Sequence, residues 1–374
     1  MDKGIVVLDQ ASGYLQVDML HALEKKYQKT AIIAGSLVER NRKLPEGTVW
    51  QKIIPYDKST TFKRLMSWTV STVQMWFYVL AKFRGYKLFI ITNPPFTVFL
   101  PLVLPNRYSI LVYDVYPDIL YTTGYVSERS WIVKLWSRLN KRVFANSTHI
   151  FTISQGMKRE VLKYADEEKI SVVPIWTDSD FFKPVDRKDN KFLRQLGLQD
   201  KFIIQYSGNL GNTHDIDVLV DVANELKNDE NIFFIIIGGG GKKRLIEEKI
   251  TSYDLQNCLL LPWQPAEMLP YTFTAPNIGV VTLGNESSNM SVPSKTYNLM
   301  SAGLPILAIA SEKSELNNLI QHYEIGACYS GKNVKGIKEF IIKLRENPEI
   351  CVNYANNSRT ASKDFSEKNA EMFY

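Results

Sequence analysis

Apolar residues predominate in short stretches at 4–8, 30–34, 49–54, 109–113, 150–153 and 172–176, and again at 202–206, 233–237, 259–261, 278–282 and 306–309. Runs of this length bounded by turn residues read as buried strands, and the stretches between them read as helices. The first unit shows the pattern: 4–8 leads into Asp9-Gln10-Ala11-Ser12-Gly13-Tyr14, a turn, and then a helix from about Leu15 to Tyr27. Strand, turn and helix repeated in this way predict parallel α/β sheets.

The repetition stops once. Residues 177–190 are rich in Asp and Lys and read as a linker, so the pattern predicts two α/β domains, 1–178 and 179–350, with a polar helical tail, 351–374, returning to the first. At 374 residues the chain fits two domains of ordinary size, and 45% hydrophobic residues can fill both cores.

Two stretches test for a membrane span. Residues 66–81 carry no charge between Lys63-Arg64 and Lys82-Arg84, but they are short and hold several Ser and Thr. Residues 88–106 are uncharged too, yet Pro94, Pro95, Pro101 and Pro105 break them into a strand, a turn and a short helix. Neither reads as a spanning helix. Trp68, Trp76, Phe77, Tyr78 and Phe83, and further on Trp131 and Trp136 with Lys134, Arg138, Lys141 and Arg142, fit either an interfacial surface or two core-facing helices with wet basic edges.

Charge sharpens this. Through Phe182 there are 24 Lys and Arg against 16 Asp and Glu, leaving +8 of the overall +6 in the first half and −2 in the remainder. A basic first half suits an anionic membrane or a phosphorylated acceptor; with no recognisable nucleic-acid module it does not argue for DNA or RNA. Cys258, Cys328 and Cys351 are scattered and form no disulfide or zinc pattern, and His21, His149 and His322 show no ligand or triad spacing. The N-terminus shows no signal pattern, so a cytoplasmic location is expected, peripheral on the inner face of the plasma membrane if the basic helices dock there.

The candidate chemistry gathers at 285–308. A strand delivers the chain to a polar loop holding Glu286, Pro293 stiffens the exit, Ser294 is placed as the N-cap of a short helix, and Gly303 stops it as a C′ glycine. On that helix Ser294, Lys295 and Asn298 share a face beside the N-terminal end, where backbone donors and partial positive charge favour an anion. A capped helix with a solvated lysine is the plainer alternative.

This run resembles the C-terminal signature of glycosyltransferase family 4, retaining sugar-nucleotide enzymes with the GT-B fold: two Rossmann-like domains facing across a cleft. The resemblance extends to Tyr206-Ser207-Gly208-Asn209-Leu210-Gly211-Asn212 and to Ile237-Gly238-Gly239-Gly240-Gly241-Lys242-Lys243, both glycine turns after strands. A tight turn with solvated lysines would also explain the second, and its glycines do not complete a dinucleotide fingerprint. Leu261-Pro262-Trp263-Gln264-Pro265 lies where the family reads the nucleobase, so Trp263 would stack and Gln264 would bond, or Trp263 would be core.

The resemblance implies donor binding by Gly13, Gly208, Asn209, His214, Gly239, Gly240, Lys242, Trp263, Gln264, Glu286, Pro293, Ser294, Lys295 and Asn298, with Asp114 and Lys295 catalytic. Departures stand beside it. Asn209 and His214 replace an Arg and a Lys that commonly bind the diphosphate, and Met290 and Asn298 replace the paired glutamates. Tyr113-Asp114 keeps only the Asp of a His-Asp pair; capping the next turn is the other role open to it. Asp178-Ser179-Asp180 spells a metal-binding triplet of another transferase fold, but in a linker.

What the resemblance implies is sugar transfer from a nucleoside diphosphate sugar, UDP favoured, to a saccharide or polyprenyl-linked acceptor of an envelope pathway, without metal or other cofactor. A nucleotide-sugar epimerase on the same fold, or a silent partner subunit, are the alternatives.

Overall fold

The computed structural model describes residues 3–40, 42–122, 124, 126–212, 214–284 and 292–374, Thr122 by its backbone. The chain forms two compact units, the first running to Trp176 and including 367–374, the second spanning Thr177–Ser366. The expected boundaries at 178 and 350 shift accordingly. The Pro348–Ala361 helix stays with the second unit, where Ser358 Oγ donates to the Leu304 carbonyl at 2.7 Å. Only the last residues return to the first, where Phe373 packs edge-on against Phe89 and Phe151.

The first unit is built on seven parallel strands: β1 (Ile5–Leu8), β2 (Thr30–Ala34), β3 (Val49–Lys52), β4 (Lys87–Ile91), β5 (Tyr108–Val112), β6 (His149–Thr152) and β7 (Ile170–Val172), in the order β3-β2-β1-β4-β5-β6-β7. Parallel register sets Val7 between Ile32 and Phe89. The four residues of β1 are almost fully buried, which is why the strand has no polar face. The run at 172–176 is not a strand beyond Val172. It continues as extended chain, and Trp176 is buried with its indole Nε1 donating to Asp18 Oδ2 at 2.8 Å.

The second unit repeats the design with β8 (Phe202–Asn209), β9 (Ile232–Gly239), β10 (Cys258–Leu261), β11 (Ile278–Thr282), β12 (Ile306–Ile309) and β13 (Gly326–Tyr329), ordered β10-β9-β8-β11-β12-β13. Strand β13 was not expected. It is a half-buried edge strand of Gly-Ala-Cys-Tyr, too weakly apolar to stand out from its neighbours.

In both sheets the strand order reverses beside the first strand, between β1 and β4 and between β8 and β11. At such switch points the loops leave in opposite directions and open a crevice at the carboxyl ends of the strands. Asp9 and Asn93 lie at that corner of the first unit; Gly208 and Thr282 lie at that corner of the second.

The Thr61–Lys82 helix starts at Thr60, whose hydroxyl accepts the Lys63 N–H. Ser67, Trp68, Ser71, Met75 and Val79 face the sheet while Phe62, Val73 and Phe77 are exposed, so neither sequence alternative describes it fully. Among the described residues no helix is long and apolar enough to cross a membrane.

Candidate functional site

The Ser294–Ser301 helix begins one residue earlier than the sequence suggested. Pro293 is its N-cap, with φ −57° and ψ 134° and no side-chain cap, and Ser294 is the exposed first helical residue. Proline's fixed φ suits the entry, and its missing N–H is one the helix would leave unsatisfied anyway. The other end follows expectation. Gly303 has φ +70°, its N–H bonds the Met300 carbonyl at 3.0 Å and the Leu304 N–H bonds the Leu299 carbonyl at 3.1 Å, a complete Schellman closure. Inside the helix Leu299 lies against β11, where only Gly279 makes room: a Cβ there would sit 2.7 Å from Leu299 Cδ2.

This anchoring carries Lys295 inward. Its Nζ lies 3.9 Å from the centroid of the Tyr206 ring, and a Cβ on Gly208 would overlap it. Burial pushes the Lys295 pKa down to about 7. Among the described residues no carboxylate pairs with it. A largely desolvated ammonium facing an aromatic ring, with no counter-ion among the described residues, is a group whose charged form an incoming anion would stabilise.

Around it the backbone is held close by glycine. Gly208 pairs with Gly238 and Asn209 with Gly239 in the β8–β9 register, and the Leu210 N–H bonds the Gly239 carbonyl at 2.9 Å. Gly240, at φ +149°, could not carry a Cβ, which would lie 2.6 Å from the Leu210 carbonyl oxygen. Tyr206 Oη donates to the Asn209 carbonyl at 2.7 Å, and the Asn209 side chain is exposed.

Two expected phosphate ligands are otherwise engaged. Lys242 Nζ lies 2.6 Å from Asp217 Oδ1, so its charge is largely compensated within the protein. His214 Nδ1 lies 3.0 Å from Thr282 Oγ1 and 3.3 Å from the Thr282 carbonyl, and burial followed by the nearby Lys295 charge lowers its pKa, leaving it neutral near pH 7. Lys242 is thus a paired cation and His214 a neutral imidazole, so neither presents a free charge beside the Gly208 turn. Asn298 Oδ1 accepts the Thr177 hydroxyl at 2.6 Å, which commits its carbonyl side.

Trp263 is not core. It is 59% exposed at the end of β10, with its indole nitrogen 3.3 Å from where a Gly239 Cβ would stand. Gln264 folds back, Nε2 donating to the Pro262 carbonyl at 2.9 Å. Glu286 lies outside the described residues. Asp178 Oδ1 accepts the Phe181 N–H at 3.0 Å, a turn cap, and no group of three or more metal-type ligands occurs among the described residues.

In the first unit Gly13 is the N-cap of the Tyr14–Glu24 helix, its N–H donating to Gln16 Oε1 at 2.8 Å. Asp114 follows β5, its backbone N–H pointing at Thr92 Oγ1 3.3 Å away; its side chain reaches solvent, yet the surrounding protein is close enough to raise its pKa. Asp9, not singled out by sequence, is buried at the switch point. It accepts from Ser12 Oγ at 3.0 Å and Asn93 Nδ2 at 3.2 Å, while burial raises its pKa to about 6. An aspartate closing an all-apolar strand was the available signal.

The described geometry thus offers two glycine turns, one desolvated lysine and an exposed indole along the carboxyl edge of the second sheet. Residues 188–361, all within the second unit, match the family model of glycosyl transferases group 1. The chain is 23% identical to "Probable glycosyltransferase WbjE" of Pseudomonas aeruginosa over 84% of its own length and 81% of the relative's. Among solved structures it resembles Anabaena Alr3699/HepE in complex with UDP and glucose, at TM-score 0.73 and 13% identity, covering 100% of this chain and 98% of that one. It also resembles WaaG, a glycosyltransferase involved in lipopolysaccharide biosynthesis, at TM-score 0.71 and 12% identity, covering 98% and 99%. With the Pro293–Gly303 signature set at the switch point of a parallel sheet, residues 188–361 form a glycosyl transferases group 1 domain and the chain has the GT-B fold.

Proposed function

We propose that the second unit binds a nucleoside diphosphate sugar, UDP-linked in preference, and that the sugar passes with retained anomeric configuration to a saccharide or polyprenyl-linked saccharide of an envelope polysaccharide. The observation that carries this is Lys295: a buried cation without a described carboxylate partner, at the amino end of a helix and beside the Gly208 turn. A diphosphate placed there meets helix N–H donors and the ammonium together, and as the leaving group it gains negative charge where those donors already point. Trp263 is open for a base to stack against.

UDP as the preferred donor is supported by the UDP complexes of the structurally similar Alr3699/HepE, and the envelope acceptor by the lipopolysaccharide role given for WaaG. Asp114 is the first-unit carboxylate assigned to the acceptor hydroxyl. Its raised pKa keeps it nearer to proton exchange at neutral pH than a solvated aspartate. The reaction is proposed to run without metal in the cytoplasm, with no nucleic-acid partner.

Thermal-shift titration with UDP, GDP, ADP, CMP and their sugars tests the donor. UDP compounds are expected to raise the melting temperature by a few degrees at saturating concentration, since a ligand at a hundred times its Kd stabilises by about 2.7 kcal/mol. Lys295→Ala should weaken UDP about ten- to a hundredfold, the loss expected of a charge-assisted phosphate contact. Equal shifts in both proteins reject Lys295, and no shift with any nucleotide rejects the donor site. EDTA in a transfer assay is expected to leave turnover unchanged.

A further inference from the structure

The Thr61–Lys82 helix carries apolar side chains on both its faces. Its inner face carries Ser67 and Ser71 beside Trp68, Met75 and Val79, while its outer face presents Phe62, Leu65, Met66, Val73, Trp76 and Phe77 to solvent. Phe62 is 73% exposed and Phe77 58%. Positions 62, 66, 73, 76 and 77, with Thr69 in line, follow helical spacing, so they form one ridge, about 22 Å long. A soluble surface rarely carries so many large apolar groups in one row.

The Trp131–Asn146 helix adds charge to the same chemistry. Trp131 is 73% exposed, Ile132 and Leu135 are exposed with it, and Lys134, Arg138 and Lys141 line a neighbouring pocket of about 450 Å³. The lining holds four cations, Lys163 included, against the carboxylates of Asp118 and Glu128. Asp118 is already committed to Lys163, to Tyr164 Oη at 2.7 Å and to Tyr121 Oη at 2.5 Å. Among the described residues Lys134, Arg138 and Lys141 form no ion pair. Both helices pack on the 3-10 segment at 95–102, where Trp68 and Trp136 each meet Phe96.

We propose that the first unit docks on an anionic lipid bilayer, the outer face of 61–82 and Trp131, Ile132 and Leu135 entering the interface and a lipid phosphate occupying the pocket lined by Lys134, Arg138 and Lys141. The charge selects the occupant. A second copy would bring the same basic face against itself, whereas a bilayer supplies acyl chains for the ridge and phosphate for the cations in one surface. Nothing in this rests on the donor reading.

Flotation of the full chain with vesicles of phosphatidylcholine, with and without phosphatidylglycerol, tests it. Binding is expected to the anionic vesicles and to weaken with salt. Lys134→Ala/Arg138→Ala/Lys141→Ala should lower the partition coefficient roughly a hundredfold, and Phe62→Ser/Phe77→Ser should lower it on both kinds of vesicle. The ridge residues are exposed and the nucleotide thermal shift reports on the other unit, so circular dichroism together with that shift separates lost docking from lost fold. Equal binding to neutral and anionic vesicles overturns the proposal. So does a concentration-dependent dimer by light scattering without flotation. A saturable shift with inorganic phosphate that the triple variant loses, again without flotation, assigns the pocket to a soluble anion and overturns it as well.

Discussion

Lys295 decides more at the scale of a single residue than any other described side chain. Its pKa in the folded protein, about 7, lies below the usual lysine value of 10.5, so between those values the native state holds fewer protons than the unfolded one. The cost of burying the charge is therefore full below about pH 7 and is relieved as pH rises toward 10.5, so stability gains from this residue with rising pH. Ligand binding runs the other way. A diphosphate favours the charged form, so above pH 7 binding must take up a proton. UDP affinity is expected to fall by up to about tenfold per pH unit from 7 upward until the pKa of the bound state is reached. Calorimetry in buffers of different ionisation enthalpy reads that proton directly; a pH-independent affinity, or a slope surviving in Lys295→Ala, contradicts the assignment.

At the scale of the element, the Ser294–Ser301 helix is held in place mainly from its far end. Its N-terminus has no side-chain cap, while Gly303 closes its C-terminus and Arg359 Nη1 donates to the Ser301 carbonyl at 2.5 Å. Space is not what requires glycine at 303, for an added Cβ would come no nearer than 3.7 Å to any neighbour. The backbone conformation is. Gly303→Ala should therefore destabilise by about 1–2 kcal/mol, the cost of a left-handed alanine, as read by urea unfolding. The helix register would loosen with it, so the same variant should weaken UDP; unchanged stability would mean that the turn relaxes freely. The signature was legible because a proline entry and a glycine exit mark a helix locally. The misplaced cap shows the limit of that signal: serine is a common cap, but proline's φ had already fixed where the helix begins.

At the scale of the molecule, the chain's last residues, 367–374, complete the first unit. Phe373 is 6% exposed, with its ring 5.0 Å from that of Phe151 and 5.5 Å from that of Phe89, and Arg42 reaches Glu367 at 2.8 Å. Phe373→Ala should cost about 3–5 kcal/mol, the range for truncating a buried phenylalanine, whereas charge removal at exposed Glu371 should cost little. Denaturation followed by tryptophan fluorescence, to which Trp176 beside Phe373 contributes, measures it; a Phe373→Ala protein as stable as the parent would show that the tail rests on the unit without supporting it.

The sequence by itself determined the two parallel α/β units, most of their strands, and the stretch that carries the family's signature, because buried strands and helix stops are written in local composition. It did not determine which lysine is without a carboxylate partner among the described residues. Lys242 and Lys295 both follow glycine or proline turns, and only the packed sheet brings Asp217 to the first and the face of Tyr206 to the second. Nor could it set apart Asp9, whose carboxyl is perturbed by burial at the switch point beside Ser12 and Asn93, or show that the 61–82 helix leaves a row of large apolar side chains facing outward. Pairing, desolvation and facing are properties of residues far apart in the chain, so they exist only once the fold has brought those residues together.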